Sequence, residues 1–149
     1  MSLAYLASPY NHSDHAVRWR RSRAAAEAAG RFLAAGCHVF CPIAHNLALI
    51  EASGIERGWE AWMAFDLDML ARCDLLIVLM LDGWQESKGV QGEIKEAERL
   101  NIPVRYLAWE ELPPYNRTAW VEILQPLPAD RKMKGKNRGF FFRSRDSDN

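Results

Sequence analysis

Cysteine is scarce: Cys37, Cys41 and Cys73 are the only three in 149 residues. Their odd number and lack of CxxC spacing exclude a disulfide framework and a cysteine-rich zinc site, and point to reduced core thiols in a cytoplasmic protein. His12, His15, His38 and His45 are scattered without metal-ligand spacing, so neither a metal nor another cofactor is expected. No apolar run approaches the roughly 18 residues of a membrane span, and no basic stretch leads into an apolar segment at the start, so a soluble, unexported chain with no membrane partner is expected. Charge of one sign is lacking too, with 19 Lys and Arg against 19 Asp and Glu. That balance argues against a dedicated nucleic-acid binder. Also missing are internal repeats, the phosphate-loop patterns GxxxxGK[ST] and GxGxxG, and a serine or cysteine nucleophile in an elbow sequence.

What is present alternates. Leu3 to Ala7 is short, apolar and stopped by Ser8-Pro9, which suits a buried strand and its outgoing loop. From Asp14 to Ala35 an alanine-rich run sets Val17, Ala24, Ala28 and Phe32 on one stripe, with Gly36 at the cap position, which predicts a helix. Cys37 to Cys41 is rich in β-formers and ends at Pro42, giving a second strand and a loop carrying His45 and Asn46. Residues 57–72 repeat Trp59, Trp62, Met63, Asp66, Met69 and Leu70 at helical intervals, so Asp66 falls near the edge of an apolar face. Leu75 to Leu81 is seven apolar residues without alternation, as a strand buried on both faces requires. A glycine-containing loop, a helix from about Val90 to Leu100 and a strand Val104 to Leu107 follow.

Such alternation predicts a flavodoxin-like or Rossmann-like three-layer α/β/α sandwich with a parallel sheet of four to five strands. A strand order 2-1-3-4 would bring the loops Ser8-Pro9-Tyr10-Asn11 and Asp82 to Gly89 to one crevice. Beyond residue 108, Trp109 to Leu112 and Thr118 to Leu124 suit short helices among prolines. Residues 1–129 form the expected domain, with 12 Lys and Arg against 16 Asp and Glu, a net of −4. Residues 130–149 carry seven basic against three acidic residues, a net of +4, and read as a disordered basic tail. Its aromatics Phe140 to Phe142 leave single-strand binding open beside the plainer reading of a solvated end.

The chemistry-bearing stretch is Asp82-Gly83-Trp84-Gln85-Glu86-Ser87-Lys88-Gly89-Val90-Gln91-Gly92-Glu93. Ser87, Gly89 and Gly92 between a buried strand and a helix allow backbone N–H groups to approach an anion, though turn glycines fit equally well. Glu93 falls in about the first helical turn, where the helix dipole favours the ionised carboxylate. It reads either as a helix-stabilising glutamate or as a group able to attack an electron-poor carbon. Asp66 reads as a surface aspartate or as an acid whose pKa is raised by Trp59, Trp62 and Met63. Tyr10 and Trp84 can stack on a base or lie over the core. His45 can bind a ligand or pack within its loop.

Tyr5-Leu6-Ala7-Ser8-Pro9-Tyr10, Asp66 and Ser87-x-Gly89-Val90-x-x-Glu93 together resemble the nucleoside 2-deoxyribosyltransferase superfamily over residues 3–107. The spacing is closest to the deoxynucleoside 5'-monophosphate N-glycosidases. The string Leu-Asp-Gly-Trp with Ser-x-Gly-Val-Gln-x-Glu, and Pro42-Ile43-Ala44-His45, is also similar to a bacterial and phage family of uncharacterised proteins assigned to this fold. The resemblance implies cleavage or transfer at the N-glycosidic bond of a nucleoside or nucleoside 5'-monophosphate. It makes Glu93 the nucleophile, Tyr5 the residue that orients it and Asp66 a residue that positions substrate or assists proton transfer. Ser8, Tyr10, His45, Asp82, Trp84, Ser87 and Gly89 are then the expected substrate-binding residues, and Ser87 points to a phosphorylated substrate. Where those glycosidases carry a glycine- and arginine-containing phosphate loop, this chain has Ser8 to His12, with Arg18, Arg20 and Arg21 as substitute cations. A homo-oligomer, dimer or larger, is implied as well.

Two other functions stay open on sequence grounds. One is a non-catalytic nucleotide-binding or sensor module that keeps the crevice and the glutamate. The other is a nucleic-acid accessory role through the basic tail.

Overall fold

The computed structural model describes residues 2–114, so the segment Thr118 to Leu124 and the tail lie outside the described residues. Four parallel strands, β1 (Leu3–Ala7), β2 (His38–Phe40), β3 (Leu75–Leu79) and β4 (Val104–Leu107), form one sheet in the order β2-β1-β3-β4. Registers such as Tyr5 opposite Leu76 and Ile77 opposite Arg105 fix the pairings. The helices are α1 (His15–Ala34), α2 (Pro42–Ser53), α3 (Trp59–Leu70) and α4 (Lys88–Arg99), and a 3-10 turn spans Trp109–Glu111. The fold is the three-layer α/β/α sandwich expected from the alternation.

Strand periodicity decides which helix covers which face. Ala4, Leu6, Leu75, Ile77 and Leu79 pack with Ala25, Ala28, Ala29 and Phe32 of α1. Tyr5, Ala7, Leu76 and Val78 point the other way, onto Leu70 of α3 and Val90, Ile94 and Ala97 of α4. All five residues of β3 are buried, which is why no polar alternation marks it. Asp14 caps α1 by accepting from the Ala16 N–H, and Ser87 caps α4 by accepting from the Val90 N–H.

Several boundaries differ from the sequence reading. β2 is only His38–Phe40 and β3 ends at Leu79, so Met80 and Leu81 already belong to the turn toward Asp82. His45 and Asn46 stand on a helix rather than in a loop. Pro42 closes the strand pattern but also supplies a preset φ at the first position of α2, and Gly54 ends that helix at φ 64°. α4 begins at Lys88, which makes Glu93 its sixth residue and places it in the second turn instead of the first.

Cys37, Cys41 and Cys73 are buried free thiols, pushed by burial up to about 11, 11 and 12. They are packing residues at neutral pH, with little thiolate to react. Among the described residues, no helix is long and apolar enough to cross a membrane.

Candidate active site

With β1 and β3 adjacent at the centre of the sheet and their outgoing loops diverging, a crevice opens at the strand C-termini. A cleft of about 450 Å³ there is lined by Asn11, His12, Arg21, Asp82, Gly83, Glu86 and Ser87. Both loops assigned to the crevice contribute to it.

Beneath the helical layer, Tyr5 on β1 and Glu93 on α4 meet although 88 residues separate them. The Tyr5 hydroxyl donates to Glu93 Oε1 at 2.7 Å. Tyr5 is fully buried and Glu93 only 5% exposed. Burial dominates the electrostatics of the carboxyl and pushes Glu93 up to about 8, the Tyr5 hydrogen bond pulling down and the charge of Asp66 pushing further up. The expectation of a carboxylate ionised by the helix dipole is therefore overturned. Glu93 lies too deep and one turn too far along α4 for the dipole to outweigh desolvation. Burial, then Glu93 and Asp66, raise the Tyr5 pKa well above its usual value, so its hydroxyl remains a donor.

Asp66 on α3 is half-buried. Burial raises its pKa, while a hydrogen bond from Asn46 and the nearness of His45 pull it down. Asn46 Nδ2 donates to Asp66 Oδ1 at 2.8 Å, and Asn46 Oδ1 lies 2.9 Å from His45 Nδ1. The His45 ring stacks on Phe65 at 5.7 Å and 20° and lies 5.4 Å from Phe40, which in turn is 5.7 Å from Tyr5. An aromatic ledge thus runs from the Tyr5–Glu93 pair to His45.

Met63 of α3 packs beside Gly89 and Gly92 of α4. A Cβ on Gly89 would stand 3.8 Å from Met63 Cε, and one on Gly92 3.7 Å from the same atom. Those are ordinary contact distances, so a methyl group would fit at either position; Met63 lies against this face of α4, and Asp66 follows Met63 by three residues on its own helix. Sequence reasoning read the two glycines as parts of an anion loop or as ordinary turn glycines, whereas both lie within α4.

The remaining expected site residues divide. Ser8, immediately after β1, is 6% exposed and its Oγ has no hydrogen-bond partner among the described residues. An unspent buried hydroxyl costs about 1–3 kcal/mol, which a bound ligand would recover. Ser87 and Asp82 line the cleft. Trp84 instead packs against Tyr106 of β4, with ring centroids 5.5 Å apart, and joins the core beneath α4. Tyr10 is half-buried beyond Pro9. Phe40 and Phe65 were not singled out from sequence, and Asn46 was named only as a loop residue beside His45; the Cys-Pro pair opening α2 was the available signal for its helical placement.

Arg21, one of the substitute cations for phosphate, lines the cleft and also serves the fold. Its Nη1 donates to the Asn11 carbonyl and its Nη2 to the Asp82 carbonyl, each at 2.8 Å, tying the two crevice loops together. Gly83, at φ 86°, makes room: an added Cβ would stand 2.4 Å from Arg21 Nη2. Gly83→Ala is expected to lower stability by about 1–2 kcal/mol, because it combines an unfavourable φ with displacement of Arg21. A fall in the urea midpoint without a change in slope is the measurement that checks it.

The fold is shared with proteins of nucleoside chemistry. A 2-deoxyribosyltransferase from the psychrotolerant bacterium Bacillus psychrosaccharolyticus, described as a biocatalyst for nucleoside synthesis, superposes with a TM-score of 0.52 at 21% identity over 72% of each chain. More closely, residues 2–110 match the family described as a domain of unknown function, DUF1937, and the chain belongs to that family. No curated protein matches it.

Proposed function

We propose that this protein breaks or exchanges the N-glycosidic bond of a nucleoside or nucleoside 5'-monophosphate, with Glu93 as nucleophile. The observation that carries the reading is the buried 2.7 Å hydrogen bond from Tyr5 on the central strand β1 to Glu93 on α4. A glutamate serving only the helix would face solvent, whereas this one is held at full desolvation cost by a hydroxyl from the central strand.

In its ionised form the Glu93 carboxylate attacks the anomeric carbon while the bond to the base breaks and its electron pair leaves with the base. A proton from water neutralises the departing base, and the Asp66 carboxylate positions the substrate. The transition state has oxocarbenium character, which the adjacent negative charge stabilises. Water then releases the sugar and regenerates the carboxylate, or a second base accepts the sugar. Tyr5 orients the attacking oxygen through its hydrogen bond. The orphan hydroxyl of Ser8, together with Ser87, Asp82, Gly89, Tyr10 and His45, supplies contacts for sugar, base or phosphate.

Incubation with a panel of deoxynucleosides, ribonucleosides and their 5'-monophosphates, followed by chromatography, tests the reading through release of free base. Ligands recovered intact although they raise the melting temperature would favour a binding module of the same fold instead.

A further inference from the structure

The residues between His45 and Asp66 carry information beyond the Tyr5–Glu93 pair. With Asp66 ionised, its carboxylate can only accept, so the Asn46 amide nitrogen must face it, at 2.8 Å. The Asn46 carbonyl oxygen is thereby turned to His45 Nδ1, at 2.9 Å. An oxygen that only accepts requires a proton on Nδ1, and in the neutral ring Nε2 is then left as an acceptor. Asn46 is 8% exposed, and both ends of its side chain are engaged. The His45 ring is exposed to solvent yet held by Phe65, Phe40 and Asn46. An exposed imidazole gains little stability from such restraint, whereas a ligand-binding group gains pre-organisation.

We propose that Asn46 is a positioning residue: its amide holds the Asp66 carboxylate in place and fixes His45 in the Nδ1–H form, so that His45 presents Nε2 to accept a hydrogen bond from a hydroxyl or amino group of the ligand. The part of this concerning His45 and Asn46 stands on the hydrogen-bond chain, and the use made of Asp66 rests on the glycosidic reading above. The charge of His45 on α2 reaches Asp66, and the charge of Asp66 in turn reaches Glu93 on α4, Tyr5 on β1 and the Cys41 thiol at the start of α2. Of these, only His45 is joined to Asp66 through Asn46.

Nitrogen-15 and carbon-13 NMR of the labelled full chain reads the tautomer directly. With the imidazole neutral, the wild type is expected to show Nδ1 protonated and Nε2 bare, the reverse of the form that free histidine prefers. A wild-type His45 protonated on Nε2 would overturn the proposal without touching the role of Glu93. Asn46→Asp keeps an acceptor for Nδ1–H but faces Asp66 with a second carboxylate. It should retain the tautomer and shift the Asp66 titration upward. Asn46→Ala should lose the tautomer. If the chain releases base, Asn46→Ala should lower kcat about tenfold to a hundredfold, the scale of a misplaced reacting group. Unchanged kcat together with an unchanged tautomer in Asn46→Ala would overturn the proposal. Absence of base release with the wild-type tautomer intact would sink the glycosidic reading and leave the Asn46–His45 arrangement standing.

Discussion

Glu93→Gln is expected to lose base release by at least about a thousandfold while gaining stability at alkaline pH. The loss follows from the chemistry, since an amide oxygen is a poor nucleophile and carries no charge toward an oxocarbenium-like centre. The gain follows from burial. In the unfolded chain Glu93 ionises near its ordinary 4.5, and in the folded protein near 8. Between those values the folded state keeps a proton that the unfolded state has released, so stability falls as pH rises through the window and reaches its floor above about 8. A gap of that width corresponds to a cost on the order of 5 kcal/mol at high pH. Glutamine never ionises, and its carbonyl oxygen still accepts from Tyr5. The two proteins should therefore melt together near pH 4.5 and separate by roughly 10 °C near pH 9, with the variant higher. Wild-type rates of base release in Glu93→Gln would remove the nucleophile assignment. Coincident melting curves at pH 9 would show that the folded protein does not hold Glu93 at a raised pKa.

This pairing of lost activity with gained stability is the signature of a group kept for chemistry against the interests of folding. A helix-stabilising glutamate would show the opposite: its replacement would cost a few tenths of a kcal/mol to about one, chiefly at neutral and alkaline pH where the carboxylate is charged.

Alternation of apolar strands with helical periods made the layers and strand order readable, because Leu75 to Leu79 has nothing polar in it and α1 repeats small residues on one face. Boundaries were less readable, since Met80 and Leu81 are apolar yet lie past the end of β3, with the Met80 N–H still donating to the Leu107 carbonyl of β4. The meeting of Tyr5 with Glu93 could be inferred only through resemblance, for no local rule links residues 88 apart. The electrostatic state of Glu93 was hidden for a related reason. Its position in the helix is a local property, whereas its desolvation comes from the whole layer of β1, α3 and α4 closing over it. The helical placement of Asn46 was missed because a proline after a β-rich run signals a strand end and a helix start equally, and only the helical reading turns residues 45 and 46 toward Asp66.

The pH dependence of base release is the second large effect expected, and its sign separates two roles for Glu93. If the ionised carboxylate attacks, kcat/KM should rise about tenfold per pH unit well below 8 and level above it, a change of roughly fiftyfold between pH 6 and 8. If the protonated carboxyl acts as the acid that delivers a proton to the leaving base, the rate should instead be flat to about 8 and fall beyond it. Asp66 complicates neither direction, because its charge raises Glu93 and so only moves the inflection upward. Tyr5→Phe locates the inflection on Glu93 rather than on the substrate. Removing the one hydrogen bond that lowers the Glu93 pKa should carry the inflection to higher pH, whereas a titration belonging to the base would stay where it was. A rising profile that shifts upward in Tyr5→Phe supports the nucleophile. A falling profile that shifts in the same way would keep Glu93 in the site but assign it the acid's part, leaving Asp66 as the carboxylate that faces the sugar.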